Sequence, residues 1–233
     1  MNIALIGYGK MGKTIEKILV ERNHNIVYAS SDLLTGTHQL ERADVAIEFT
    51  KPEAAVDNIL LCAEAGIPVV CGTTGWLNRW DTVCREVEKF RGSLFYASNF
   101  SLGVNLFFAL NKQLAQLMAQ HENYRASMTE IHHIHKKDAP SGTAITLAEG
   151  LIANHPKYSS WSLDEHSDAL HIQDIREGEV PGTHTVRYTS ENDKIEITHE
   201  AFSRQGFAKG AVIAAEWLPG KKGVFGMNDL LNL

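Results

Sequence analysis

The chain opens with Asn2-Ile3-Ala4-Leu5-Ile6-Gly7-Tyr8-Gly9-Lys10-Met11-Gly12, and the reading of this stretch decides the fold. Residues 2–6 are a short apolar run, residues 7–12 a glycine turn, and residues 13–21 space their apolar side chains as an amphipathic helix does. Alone, G-x-G-x-x-G is a weak signal. Between a strand and a helix it becomes a dinucleotide-binding fingerprint. Gly7 permits the tight turn, Gly9 lets the backbone approach a pyrophosphate, and Gly12 allows helix to pack closely on strand. The helix N-terminus then faces the phosphates, with Tyr8, Lys10 and Met11 completing the segment.

The next stretches continue the same alternation. Residues 25–29 read as a second strand, and Asp32, about 20 residues beyond the last glycine, is the candidate for the ribose hydroxyls. Ser30-Ser31-Asp32 is equally good turn chemistry. Residues 45–49 and 67–70 are further buried strands, separated by a helix over 52–65 with Pro52 in its first turn and Gly66 at its end. The strand at 67–70 runs into Cys71-Gly72-Thr73-Thr74-Gly75, where Gly72, Thr73 and Thr74 can come close to a nicotinamide or ribose. After a helix over 77–90 and a strand over 94–97, Ala97-Ser98-Asn99-Phe100 occupies the equivalent edge. Ser101 stands ready to cap a long helix over 102–120. Strands alternating with helices predict a parallel sheet, hence an α/β, Rossmann-like doubly wound fold.

Beyond that helix the pattern changes. Residues 124–134, 171–177, 183–189 and 194–200 read as strands with mostly hairpin-like spacing, which predicts a second α+β domain on a mixed or antiparallel sheet. Residues 154–167 read as a loop. The apolar helix over 207–218 and the short tail at 224–230 are expected to pack back on the first domain. The dinucleotide-binding domain is therefore expected to comprise residues 1–101 and 206–233, and the second domain residues 102–205.

Composition limits the function classes. Of 233 residues, 44% are hydrophobic and 21% charged, and 22 basic against 28 acidic side chains leave a net charge of -6, which argues against nonspecific nucleic-acid binding. No apolar run reaches the roughly 20 residues that span a bilayer. Three cysteines without a C-x-x-C pair, and a first residue leading directly into a strand, predict a reducing, cytoplasmic setting.

The chemistry concentrates in Glu130-Ile131-His132-His133-Ile134-His135-Lys136-Lys137-Asp138-Ala139-Pro140-Ser141-Gly142-Thr143-Ala144. Three histidines, two lysines and two acids fall within its first nine residues. A strand over 128–134 puts Glu130, His132 and Ile134 on one face and His133 on the other. Fully extended, His132 and Lys136 would stand roughly 13 Å apart at about 3.3 Å per residue, so the chain must bend near His135 for both to serve one small ring. Asp138, Pro140 and Ser141 then supply helix-start chemistry. Free N–H groups at Ser141, Gly142 and Thr143 form an anion seat beside a cationic lysine and an imidazole able to give a proton near neutral pH. An anionic substrate that needs a proton fits. Zinc is the rival reading of His132, His133 and His135, but adjacent strand histidines point to opposite faces and no cysteine or acid completes a tetrahedral set at the usual spacing. No metal is expected.

This stretch, with G-Y-G-K-M-G, C-G-T-T-G, S-N-F-S-L-G-V-N and I-E-I-T-H-E-A-F-S-R, closely resembles the 4-hydroxy-tetrahydrodipicolinate reductase (dihydrodipicolinate reductase) family. The resemblance runs from the first strand to the C-terminus. It implies an NADH- or NADPH-dependent reduction of a cyclic dicarboxylate with loss of water, in lysine and diaminopimelate synthesis, by a homotetramer built through the second domain's sheet. It implies His132 as proton donor/acceptor, Lys136 as proton donor, and His133, Gly142 and Thr143 as substrate contacts. Gly7 to Gly12, Gly72 to Thr74 and Ala97 to Phe100 match the family's coenzyme segments. Two departures bear on the coenzyme: the stretch between Ala29 and Val45 is short, with Ser31-Asp32 in place of the acidic-basic pair, and Lys10 replaces the commoner arginine. Asp32 favours NADH, whereas Lys10 attracts a 2′-phosphate.

Two other classes remain open to test. A non-catalytic nicotinamide sensor would bind the coenzyme tightly without turnover. A metal-dependent hydrolase would carry stoichiometric metal and fail on chelation.

Overall fold

The computed structural model describes residues 1–31, 33–165, 169–203 and 205–233. The chain divides into two compact units, Met1–Leu102 with Gln205–Leu233, and Gly103–Arg204.

The first unit begins with β1 (Asn2–Ile6), α1 (Lys10–Glu21), β2 (Asn25–Ser30), β3 (Val45–Glu48), α2 (Pro52–Glu64), β4 (Val69–Cys71), α3 (Trp80–Lys89) and β5 (Ser93–Tyr96). Then α4 (Leu102–Met118) leads into the second unit, with β6 (Arg125–His132), α5 (Gly142–Ile152), β7 (Trp161–Ser162), β8 (Leu170–Arg176), β9 (Thr183–Thr189) and β10 (Lys194–Glu200). The chain returns through α6 (Gln205–Trp217), β11 (Gly223–Phe225) and α7 (Met227–Leu231).

The first sheet has the order β11-β5-β4-β3-β1-β2 with every pair parallel. Its central strands β1, β3 and β4 are buried on both faces, and alternate residues feed two cores. Ile3, Leu5, Val45, Ile47 and Phe95 pack under α1 and α6, against Ile15, Leu19 and Ala211. Ala4, Ile6, Ala46, Val69 and Leu94 pack under α2 and α3, against Ile59 and Val83. This explains the nearly continuous apolar runs of the sequence. The strand order reverses between β1 and β3, which makes a switch point at the end carrying the glycine turn. The tail that reads only as a packed segment contributes a sixth strand, β11, through three residues paired to β5.

The second sheet, β10-β9-β6-β8-β7, is mixed: β6 is antiparallel to β9 and parallel to β8. Helices α4 and α5 cover one face, where Ala126, Met128, Ile172, Val186 and Tyr188 meet Phe107, Leu147 and Leu151. Residues expected to be loop at 154–167 include β7, which pairs with β8; positions 166 and 167 lie outside the described residues. Among the described residues, no helix is long and apolar enough to cross a membrane.

Candidate functional site

Along β6 the side chains alternate, and Ala126, Met128, Glu130 and His132 all face the covered side. The first two are core; the last two are polar groups at positions that continue the core's phase. Register does the rest. Glu130 stands opposite His184 of β9 and Asp174 of β8, and His132 stands opposite Arg176. Residues more than 40 positions apart in sequence therefore meet in one row, in which Glu130, His132 and His184 are buried and Asp174 and Arg176 half-buried.

Glu130 is completely buried. Its Oε1 accepts the Ser141 N–H at 2.8 Å, with the Arg176 Nη2 at 3.7 Å. Its Oε2 lies 3.3 Å from His132 Nδ1 and 3.5 Å from His184 Nε2, within ion-pair reach but without the alignment of a good hydrogen bond. Burial alone pushes the Glu130 pKa up, but contacts with His132, His184 and Ser141 outweigh it and hold the carboxyl below the ordinary carboxylate range. Burial, against the pull of Glu130, lowers the pKa of His184.

The loop after β6 departs from expectation in three places. The strand ends at His132 rather than at Ile134, because the N–H groups of His133 and Ile134 bond to the carbonyls of Val180 and Gly178 in the neighbouring turn. Asp138 does not cap the helix; its carboxylate grips Lys136 Nζ at 2.8 and 2.9 Å, and its carbonyl accepts Arg176 Nη2 at 2.7 Å. The cap is Ser141, whose Oγ accepts the Ala144 N–H at 3.1 Å and lies 3.1 Å from His184 Nε2. Nor is the Ser141 N–H free for an anion, since Glu130 holds it. Among the described residues, the N–H groups of Gly142 and Thr143, at the first turn of α5, have no protein acceptor.

His132, Lys136, Ser141, Gly142 and Thr143 thus cluster with Glu130, which sequence reading placed on the same face as His132 but gave no role. His135 points to the surface, 3.2 Å from Glu179. The ring of His133 lies 6.1 Å from that of His135, outside the buried row. Glu130, His132 and His184 each offer a ligand atom within 4.8 Å of one another, the geometry of a metal-binding trio. The Ser141 amide takes Oε1 of that carboxylate, with the Arg176 guanidinium farther off, but the expectation that no acid stands with the histidines does not hold for Glu130.

In the first unit, Gly7 has a φ of +98°, and a Cβ there would run into the Phe49 carbonyl. A Cβ on Gly12 would run into the Gly7 carbonyl, so helix and turn touch through backbone. Gly9 differs: nothing lies within 4 Å of the place its Cβ would take, leaving the backbone open. Tyr8 and Met11 are half-buried and Lys10 is exposed. Gly72 leaves room for the Phe49 ring. Thr73 is buried, its Oγ1 accepting the Thr50 N–H at 2.8 Å and its carbonyl accepting Trp76 Nε1 at 2.7 Å, while Thr74 is exposed. Ala97 and Phe100 are core residues, Ser98 is exposed, and Asn99 Oδ1 accepts the Ser101 N–H at 2.9 Å. Asp32 lies outside the described residues. The open Gly9, followed by the first turn of α1, fits a dinucleotide pyrophosphate.

A glycine turn at the switch point of a doubly wound sheet places the chain in a class, the Rossmann-type oxidoreductases that use a pyridine nucleotide. Residues 1–100 match the family model for the N-terminus of dihydrodipicolinate reductase, and residues 103–231 match that for its C-terminus. The chain belongs to the dihydrodipicolinate reductase family. It is 53% identical, over 100% of its length and 98% of the relative's, to a 4-hydroxy-tetrahydrodipicolinate reductase of Christiangramia forsetii. A relative of the same name from Ralstonia nicotianae is 38% identical over 89% of this chain and 80% of its own. Among solved structures, a dipicolinate-bound dihydrodipicolinate reductase from Paenisporosarcina sp. TG-14 shares the fold, with a TM-score of 0.77 over 97% of each chain at 20% identity.

Proposed function

We propose that this protein reduces 4-hydroxy-tetrahydrodipicolinate to tetrahydrodipicolinate with loss of water, in diaminopimelate and lysine synthesis. The observation that carries the reading is the convergence of His132, Lys136 and the open amides of Gly142 and Thr143 at one end of β6, in a chain of this family.

Residues Gly7 to Gly12, with Gly72 to Thr74 and Ala97 to Phe100, hold the coenzyme. Bound there, the reduced nicotinamide supplies a hydride. The chain's own groups do the remainder. Lys136 releases Asp138 and meets one carboxylate of the substrate, while Ser141, Gly142 and Thr143 receive the other, with His133 as a further contact. Once water has left the ring, hydride addition to the conjugated imine makes an electron-rich enamine carbon that must be protonated. His132, with Lys136 beside it, supplies that proton, a role typically worth 10²–10⁴-fold. The dipicolinate bound by the Paenisporosarcina relative is a planar dicarboxylate of the kind this seat would take.

Either NADH or NADPH serves, since exposed Lys10 can meet a 2′-phosphate and Asp32 a free ribose hydroxyl. We place the enzyme in the cytoplasm, a reducing setting that suits three free thiols, and assign it a homotetramer from the family resemblance alone. The deciding test is coupled turnover: purified protein given the synthase product consumes NADH or NADPH, and comparing initial rates ranks the two coenzymes. Tight coenzyme binding with no consumption would leave a sensor instead.

A further inference from the structure

We propose that Glu130 is a positioning residue of this site: its buried carboxylate fixes which nitrogen of His132 carries the proton and ties that ring to the start of α5. The consequence for turnover rests on the reductase reading; the consequence for the imidazole does not.

The argument begins with burial. A carboxylate with no exposure must be met by donors or charge. Oε1 has the Ser141 N–H and, farther off, Arg176. Nearest to Oε2 are the two imidazoles, His132 at 3.3 Å and His184 at 3.5 Å, while the Ser141 hydroxyl and Asp174 also interact with the carboxyl. An ionised carboxylate accepts and never donates, so the His132 nitrogen beside it, Nδ1, must be the one bearing hydrogen. This is the reverse of the tautomer that free histidine prefers in water. It leaves Nε2 as the atom that exchanges a proton. Gly182 keeps space beside that atom, because a Cβ at 182 would lie 3.0 Å from Nε2, and its φ of +153° disfavours any other residue.

The same carboxylate reaches the other half of the site. Ser141, whose amide it holds, caps α5 through Oγ and lies against His184. The imidazole and the helix start that presents Gly142 and Thr143 are therefore hung on a single residue. By analogy, outer-shell partners of metal-ligating histidines are worth about 10- to 100-fold.

Long-range ¹H–¹⁵N NMR of histidine-labelled protein tests this, with His132→Asn to assign the signal. Between pH 6 and 9 the neutral His132 ring should carry its proton on Nδ1. In Glu130→Gln the new amide presents a donor to Nδ1, so the proton should move to Nε2, kcat should fall about 10- to 100-fold, and coenzyme affinity should not change. A wild-type ring with its proton on Nε2, or a Glu130→Gln ring that keeps the wild-type tautomer, overturns the proposal. Should Glu130→Gln fail to fold, the wild-type spectrum alone decides. An Nδ1–H tautomer in a wild-type protein without turnover would uphold the role of Glu130 in orienting the ring and sink the reductase reading alone.

Discussion

At the edge of the first sheet the important residues are those that lack a side chain: Gly7 and Gly12 let backbone lie on backbone, and Gly9 leaves an open face. At the end of β6 the opposite holds, where Glu130, His132 and His184 fill a buried row, with half-buried Arg176 beside them, as polar groups that need each other. A site of the first kind is made by local chain geometry, and its failures should be all-or-none. One of the second kind is made by strand register and charge balance, and its failures should be graded.

The largest expected effect therefore belongs to the first region. Gly12→Ala adds a methyl that has no rotamer to escape into and meets the Gly7 carbonyl, itself fixed by its neighbours. Overpacking of this kind typically costs about 1–3 kcal/mol, and rigid backbone on both sides puts this case at the upper end. Fluorescence titration with reduced coenzyme should show binding lost altogether. Retained binding at wild-type affinity would break the distinction between the two regions.

Next come His132→Gln and Lys136→Ala, which should lower kcat by about 10²–10⁴ while the same titration remains unchanged. Loss of coenzyme affinity in either would contradict the assignment of these residues to substrate and proton.

How far each region was legible follows from the same contrast. The strand, turn and helix over residues 2–21 are contiguous and periodic, so their roles can be read without neighbours. The short β11 carries no alternation across Gly223–Phe225 and exists only because β5 offers an unpaired edge. In the second unit, the dense stretch after Glu130 announces itself, but its partners do not. Asp138 looks like a cap until Lys136 and Arg176 are seen to claim it, and Ser141 looks like an open amide until Glu130 does. A signal for Glu130 was present, since it continues the phase of Ala126 and Met128, as His184 continues that of Val186 and Tyr188. A polar residue on the apolar phase of a strand predicts a buried partner without saying which strand carries it.

A pH series reaches the second region without mutation. His184 has a folded pKa below its ordinary 6.5, mainly through burial, and His155 and His199 shift the same way for the same first reason. The unfolded chain then takes up protons first as pH falls, so stability should decline from about 6.5 downward. Glu130 is also lowered, from 4.5, so what it contributes is present above that value and lost below it. Thermal melts from pH 8 to 4 should show both declines, with about 2–4 °C lost per kcal/mol, and Glu130→Gln should reduce the lower one. A melting temperature flat from pH 8 to 5.5 would contradict the histidine contribution.

The smallest effect sharpens the comparison most. Ser141→Ala removes the hydroxyl that caps α5, which ordinarily costs about 0.5–2 kcal/mol. It also leaves His184 Nε2 with only the distant Glu130 Oε2, so the cost should lie in the upper half of that range. Because the substitution keeps the Ser141 N–H that Glu130 holds, the helix start should stay in place and turnover should fall far less than in Lys136→Ala. Denaturant midpoints and initial rates measured together separate the two contributions. A rate loss as large as that of Lys136→Ala would mean that the hydroxyl itself touches substrate, and that the row behind His132 does less than its burial implies.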